Sequence, residues 1–186
     1  MATAPIDPTF VRLVSERSGQ VIAGCYACQK CTVGCPTAPS MDYAPDKVLK
    51  LVQFGWKEAV LHSSSIWLCA SCDVCGKRCP NNINIAAVMD ALKQLAVEGG
   101  YTGRERRIPA FHRSFLGSIQ GWGRIHEATM LVLYKLRSRD LLADLDLGAK
   151  LVLKGKMPLL PRRIKGLGAV RGLFHKVARR GGQDAD

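Results

Sequence analysis

Apolar residues along this chain recur at three- and four-residue intervals, and no stretch alternates apolar with polar as a half-buried strand would. The first helical segment opens at Asp7-Pro8, with Asp7 as cap and Pro8 at the first helical position. Phe10, Leu13 and Val14 form its apolar face, and Ser18-Gly19 closes it. A second begins near Pro45-Asp46, carries Val48, Leu49, Leu51 and Val52, and stops at Gly55. Trp56 to His62 makes one more short helix before the serine turn Ser63-Ser64-Ser65. Asn84 caps the clearest amphipathic helix, with Ile85, Val88, Met89, Leu92 and Leu95 on one face and Gly99-Gly100 at its end.

Beyond residue 100 the same periodicity continues through Pro109 to Ser118, Ile125 to Leu136 and Leu141 to Leu153, punctuated by Gly121, Gly123, Gly155, Gly166 and Gly168. A last helix places Val170, Leu173, Phe174 and Val177 on one side and Arg171, Lys176, Arg179 and Arg180 elsewhere; Gly181 to Asp186 is expected to be disordered. The pattern predicts an all-α chain with a first domain over residues 1–100 and a helical extension over residues 101–186. No run of 18 apolar residues occurs, so no transmembrane segment is expected.

Charge sharpens that division. Residues 1–100 hold 9 Lys+Arg against 8 Asp+Glu, whereas residues 101–186 hold 18 against 7, so nearly all of the net +12 lies in the extension. Basic tails often bind nucleic acid. Here the cations are scattered among apolar helical positions, with neither a dense Lys/Arg block nor a series of aromatics for stacking bases. No nucleic-acid partner is expected. Docking to acidic partner subunits fits better, and membrane-surface binding by the last helix is disfavoured by its short apolar face.

The chemistry lies in the cysteines, all eight of which fall into two copies of one pattern. Cys25, Cys28, Cys31 and Cys35 are spaced C-x2-C-x2-C-x3-C and followed by Pro36. Cys69, Cys72, Cys75 and Cys79 repeat the spacing and are followed by Pro80. This is the signature for two [4Fe–4S] clusters, in which the fourth cysteine of each run serves the cluster of the other. Three thiolates two residues apart sit on a tight loop that can meet three corners of a cubane. The assignment is Cys25, Cys28, Cys31 and Cys79 for one cluster and Cys69, Cys72, Cys75 and Cys35 for the second.

Zinc prefers paired C-x2-C knuckles, which would leave a third cysteine surplus. A disulfide framework needs an oxidising compartment. Met1 to Gln20 carries charges and no apolar signal core, and a reducing cytoplasm is the expected location, with any membrane association made through partners. The two runs are separated by about two helices rather than by strands, which points to an α-helical ferredoxin module and not to the small β-rich kind.

No second site competes. His62, His112, His126 and His175 are far apart and read as surface or packing residues. There is no glycine-rich dinucleotide loop, no Walker loop and no CCG motif, and every cysteine is committed. The chain is expected to relay electrons without converting a substrate. Lys30, Lys77 and Arg78 lie inside the runs, where positive charge raises a cluster's potential.

Several stretches together resemble the C-type iron–sulfur subunit of heterodisulfide reductase and its relatives: GCYACQKCTVGCP (24–36), MDYAPDKVLKLVQFGWKEAV (41–60), SIWLCASCDVCGKRCPNNINIAAVMDAL (65–92), GRIHEATMLVLYKLRSRDLL (123–142) and KGKMPLLPRRIKGLGAVRGLF (154–174). The runs alone would also fit helical iron–sulfur subunits of other dehydrogenases; the tail segments narrow the choice. The resemblance implies a hetero-oligomer in which this chain passes electrons between two partners. One is an A-type subunit holding flavin and iron–sulfur clusters, and the other is a catalytic B-type subunit with CCG motifs. The family covers methanogen heterodisulfide reduction, the related complex of sulfur oxidisers that depends on lipoate-binding proteins, and a quinone-interacting complex whose equivalent chain usually bears a fused membrane region. The lack of a span disfavours the last, and an Ala/Gly-rich composition with 15 Arg to 12 Lys leans toward the second. A free ferredoxin-like carrier is the alternative, and the apolar, basic extension argues against it.

Overall fold

A computed structural model describes residues 6–101, 106–139, 150, 151, 153, 154, 160, 161 and 163–183. Among them every regular element is helical and none is a strand. The chain divides into two compact units, residues 1–106 and 107–186.

The first unit is built on α1 (Phe10–Ser18), α2 (Lys30–Val33), α3 (Pro45–Gln53), α4 (Lys57–Leu61), α5 (Ser65–Leu68), α6 (Val74–Lys77) and α7 (Ile85–Glu98). Helix α7 is the central post, with α1, α4, α5 and α6 all packed on it. Its buried Ile85, Val88, Met89 and Leu92 meet a core that includes Phe10, Val14, Leu49, Val52, Leu61 and Ile66. Each such side chain taken fully from water contributes about 1.5–3 kcal/mol. Asn84 caps α7 as its sequence position predicts, its Oδ1 accepting from the Ala87 N–H at 3.0 Å.

Helix α1 starts two residues later than expected. The Asp7 carboxylate accepts from the Thr9 N–H at 2.9 Å and the Thr9 hydroxyl at 2.6 Å, so it organises the entry turn from outside the helix. The same residue anchors the end of α3, where its N–H donates to the Gly55 carbonyl at 2.8 Å. Gly55 has φ +72° and a Cβ there would stand 2.3 Å from the Asp7 carbonyl oxygen, so only glycine fits. At the far end of α1, Arg17 grips Glu98 of α7 through two contacts of 3.2 and 3.3 Å. Tyr101 closes the unit by donating to Glu58 at 2.6 Å and standing edge-on to His62. Ser65, expected in a turn, instead begins α5.

The second unit contains α8 (Arg107–Trp122), α9 (Glu127–Ser138) and α10 (Leu167–Gln183). Helix α8 runs further in both directions than its periodicity predicts, and Pro109 is tolerated because it falls in the first turn. Of the surface and packing alternatives, His126 takes the packing one: it is 4 % exposed, its N–H donates to Ser118 at 2.9 Å, and its Nδ1 caps α9 by accepting from Thr129. Arg137 donates to the buried Ser114 hydroxyl at 3.1 Å, fixing α9 on α8. Gly181 to Gln183, expected to be disordered, continue α10, whereas 184–186 lie outside the described residues. Most of the expected helix over Leu141 to Leu153 also lies outside them.

Candidate functional site

The two cysteine runs share one backbone conformation at an offset of 44 residues, from Cys25 to Cys69. Ala27 (φ 57°) and Gln29 (φ 64°) flank Cys28, and Ser71 (φ 51°) and Asp73 (φ 57°) flank Cys72 in the same way. Short helices then follow at matching positions, α2 from Lys30 and α6 from Val74, and the two pack together. Left-handed conformations of residues other than glycine each cost on the order of 1–3 kcal/mol and survive only where the surroundings hold them. No glycine in either loop announces them, so sequence reasoning missed them.

The holding contacts come from side chains that the sequence does not single out. Gln53, on the last turn of α3, donates through Nε2 to the carbonyls of Ile22 (2.9 Å), Ala23 (3.3 Å) and Cys25 (3.0 Å). Asn81 donates to the Gly24 carbonyl, and the Gln20 side chain accepts from the Asn84 N–H at 2.7 Å. Lys93 of α7 plays the matching part for the second run, its Nζ reaching the Cys69 carbonyl at 3.1 Å and Asp90 at 3.0 Å. Asp90 in turn accepts from the Ser71 hydroxyl at 3.0 Å. Behind Cys31, Thr32 and the buried Asp46 bond to each other, side chain to side chain and through the Asp46 N–H. The carbonyl of the first cysteine in each run is thus fixed by a long polar side chain from a helix.

Cys35 lines the same cavity as Cys69, Cys72 and Cys75. The walls of that cavity also include Met41, Pro45, Ile85 and Met89. Cys75 is pushed up to about 11 by burial, with Cys69 and Cys31 adding to the shift. Burial, then Asp46 and Cys25, hold the Cys31 thiol up as well, against the hydrogen bonding of Thr32. On the other side, the Tyr26 hydroxyl is raised by its partial desolvation and by the neighbouring Cys28, Cys79 and Cys25. The structure therefore places Cys35 in one cavity with Cys69, Cys72 and Cys75, while Cys25, Cys28 and Cys79 all act on the Tyr26 hydroxyl.

These donors suit an iron–sulfur cluster. All eight cysteines are free thiols, and the ligand set is soft sulfur throughout. Among the described residues no three His, Cys, Asp or Glu side chains converge on a point that would hold a single ion. A lone zinc draws its sulfurs to about 2.3 Å from one centre, whereas a cubane spreads them over its corners. Apart from its four thiols, the Cys35 cavity is walled largely by apolar side chains, the surroundings a sulfur-ligated cluster tolerates.

Residues 23–84 match the family described as the 4Fe-4S dicluster domain. The match assigns two [4Fe–4S] clusters to this part of the chain, and both cysteine runs lie inside it. Over a longer stretch, the chain is 28 % identical across 113 residues to the C-type iron–sulfur subunit of CoB–CoM heterodisulfide reductase from Methanopyrus kandleri, covering 56 % of this chain and 59 % of that one. It is 32 % identical across 111 residues to the second C-type iron–sulfur subunit of the same enzyme from Methanocaldococcus jannaschii, covering 54 % and 59 %. With the C-type subunit of ferredoxin:CoB–CoM heterodisulfide reductase from Methanosarcina acetivorans it shares 37 % identity over 76 residues, 41 % of this chain and 30 % of the relative. The chain spans little more than half the length of the first two relatives. The dicluster domain occupies the first unit, between the end of α1 and the start of α7.

Proposed function

We propose that this chain is the iron–sulfur electron-transfer subunit of a heterodisulfide reductase-type complex, with no substrate-converting site of its own. Cys25, Cys28, Cys31 and Cys79 hold one cluster, and Cys69, Cys72, Cys75 and Cys35 hold the other. The observation that carries the reading is Cys35 in the cavity of Cys69, Cys72 and Cys75, 34 residues from the nearest of them in sequence. Bound there, the clusters supply one-electron redox chemistry. The protein's own residues hold the loops in place, exclude water through Met41, Ile85 and Met89, and set the local charge.

The reading includes the partners. A flavin-bearing A-type subunit and a catalytic B-type subunit stand at the two ends of the relay, and the second unit docks the chain to them. Support for docking comes from α9, where Val132 and Leu136 are 59 % and 61 % exposed one turn apart, and from the charge excess beyond residue 100. No described helix is long and apolar enough to cross a membrane. The proposed location is cytoplasmic, with any membrane contact through partners.

Anaerobic iron analysis and EPR of the reduced chain test the ligand sets. About eight irons per chain are expected, as two four-iron clusters require. Cys35→Ser should alter the same EPR signal as Cys72→Ser, and Cys79→Ser the same signal as Cys28→Ser. Grouping of Cys35→Ser with Cys28→Ser would overturn the exchange of fourth ligands. Co-expression with A- and B-type subunits tests the complex; a chain that stays monomeric beside them is a free carrier.

A further inference from the structure

Cys28 and Cys72 are the two exposed cysteines, and their surroundings differ in charge. Beside Cys72 the charges are internally paired. Asp73 faces Lys77 at 3.8 Å, and Lys93 sits on Asp90 at 3.0 Å. Beside Cys28 they are not. Cys28, Lys30, Val33 and Arg78 line one open depression with two cations and no carboxylate. Neither Lys30 nor Arg78 makes an ion pair among the described residues.

Arg78 arrives there from the second run. Its Cδ, Nε and Cζ lie 2.8, 2.9 and 3.0 Å from the point a Cβ on Gly34 would occupy, so the side chain crosses over the first run. Two like charges drawn to one depression repel each other until an anion arrives. Val33 in this lining is 81 % exposed, and Tyr26, 60 % exposed, stands beside Cys28. An aromatic, an arginine and an exposed aliphatic group around a small patch are the makings of an interface core.

We infer that the Cys28 edge is the docking point for a redox protein that presents carboxylates to Lys30 and Arg78. This rests on the function proposed above and adds to it which edge meets a partner and what the partner's surface carries. The Cys72 edge, with its charges already paired, is left for a partner of different character. Compensation of a bound cluster's negative charge is the competing account of the two cations. It predicts an effect on cluster retention and none on association.

The test uses the full cluster-loaded chain and an acidic flavodoxin as the probe protein. Zero-length carbodiimide coupling joins Lys side chains to probe carboxylates, and peptide mapping locates the joins. Lys30 should dominate over Lys47, Lys77 and Lys165. Binding measured against ionic strength should weaken at least tenfold at low salt in Lys30→Glu/Arg78→Glu, with its salt slope flattened. A control of equal charge change, Lys47→Glu/Lys165→Glu, should lose no more than about twofold. Joins concentrated at Lys165 or Lys77, or equal loss in both double variants, overturn the proposal. So does a lower iron content in Lys30→Glu/Arg78→Glu with unchanged binding, which is the compensation outcome. Iron analysis of the wild-type sample reports separately on the function: eight irons without Lys30 joins sinks the docking edge alone, and absence of iron sinks the relay.

Discussion

Arg78 lies over Gly34, and the two occupy equivalent positions in the two cysteine runs, each directly before the fourth cysteine. The smaller residue of the pair makes room for the larger. Gly34→Ala places a Cβ against the flexible end of Arg78, which can swing aside, so the expected cost is about 1 kcal/mol, at the low end of overpacking. Arg78→Ala should remove that cost. A double-mutant cycle by chemical denaturation checks the coupling, and additive effects would show that the two side chains do not meet.

Gly55 admits no such relief, because its neighbour is backbone. Its positive φ and the Asp7 carbonyl 2.3 Å from a Cβ make Gly55→Ala strained and clashing at once. The expected loss is about 3 kcal/mol or more, since a left-handed alanine alone costs roughly 1–2. Urea unfolding of the isolated protein measures it, and a loss below about 1 kcal/mol would contradict the contact.

Gln53 and Lys93 make a matched pair of tests. Gln53→Ala leaves the Ile22 and Cys25 carbonyls without their donor, at an expected cost of about 1–3 kcal/mol. It should loosen the first cluster selectively. Lys93→Met should do the same for the second through the Cys69 carbonyl. Each variant is expected to retain about four irons after a chelator challenge that leaves the wild type near eight. Equal loss from both clusters in either variant would mean that the pins act on the whole unit.

Tyr101 gives a pH signature. Its hydrogen bond to the Glu58 carboxylate raises the phenol above its ordinary value, with desolvation and the Glu58 charge acting in the same direction. The folded chain therefore keeps a proton that the unfolded chain releases. The contribution is fully present below the unfolded value of about 10 and is lost as pH rises through the folded one. Glu58→Gln should bring the Tyr101 titration down, read as the ultraviolet absorbance of the phenolate. An unmoved midpoint would place the cause elsewhere.

Helices α1, α3, α4 and α7 were legible because they depend on periodicity and caps, and Asn84 and Gly55 are local signals; the four-residue helices α2, α5 and α6 are too short to show a period. The cysteine spacing likewise named the cofactor without any coordinates, since a cubane imposes its own geometry on nearby residues. The left-handed loop residues Ala27 and Gln29 were hidden: the chain entering their loop is pinned at Cys25 by Gln53 and at Gly24 by Asn81, contacts 28 and 57 residues apart in sequence that leave no local trace. Arg78 was read by its place in the second run, yet its side chain lies with the first. For His126 the packing alternative holds, but its capping role was not legible because it depends on Ser118 and Thr129 together.

The crossing of Cys35 and Cys79 between the runs has a consequence for how such a chain can change by descent. With the ligand sets proposed here, deleting either run strips a thiol from the cluster that remains, so neither half is a working ancestor of the whole. Once the fourth cysteines are traded, the two runs form a single heritable unit that is kept or lost together.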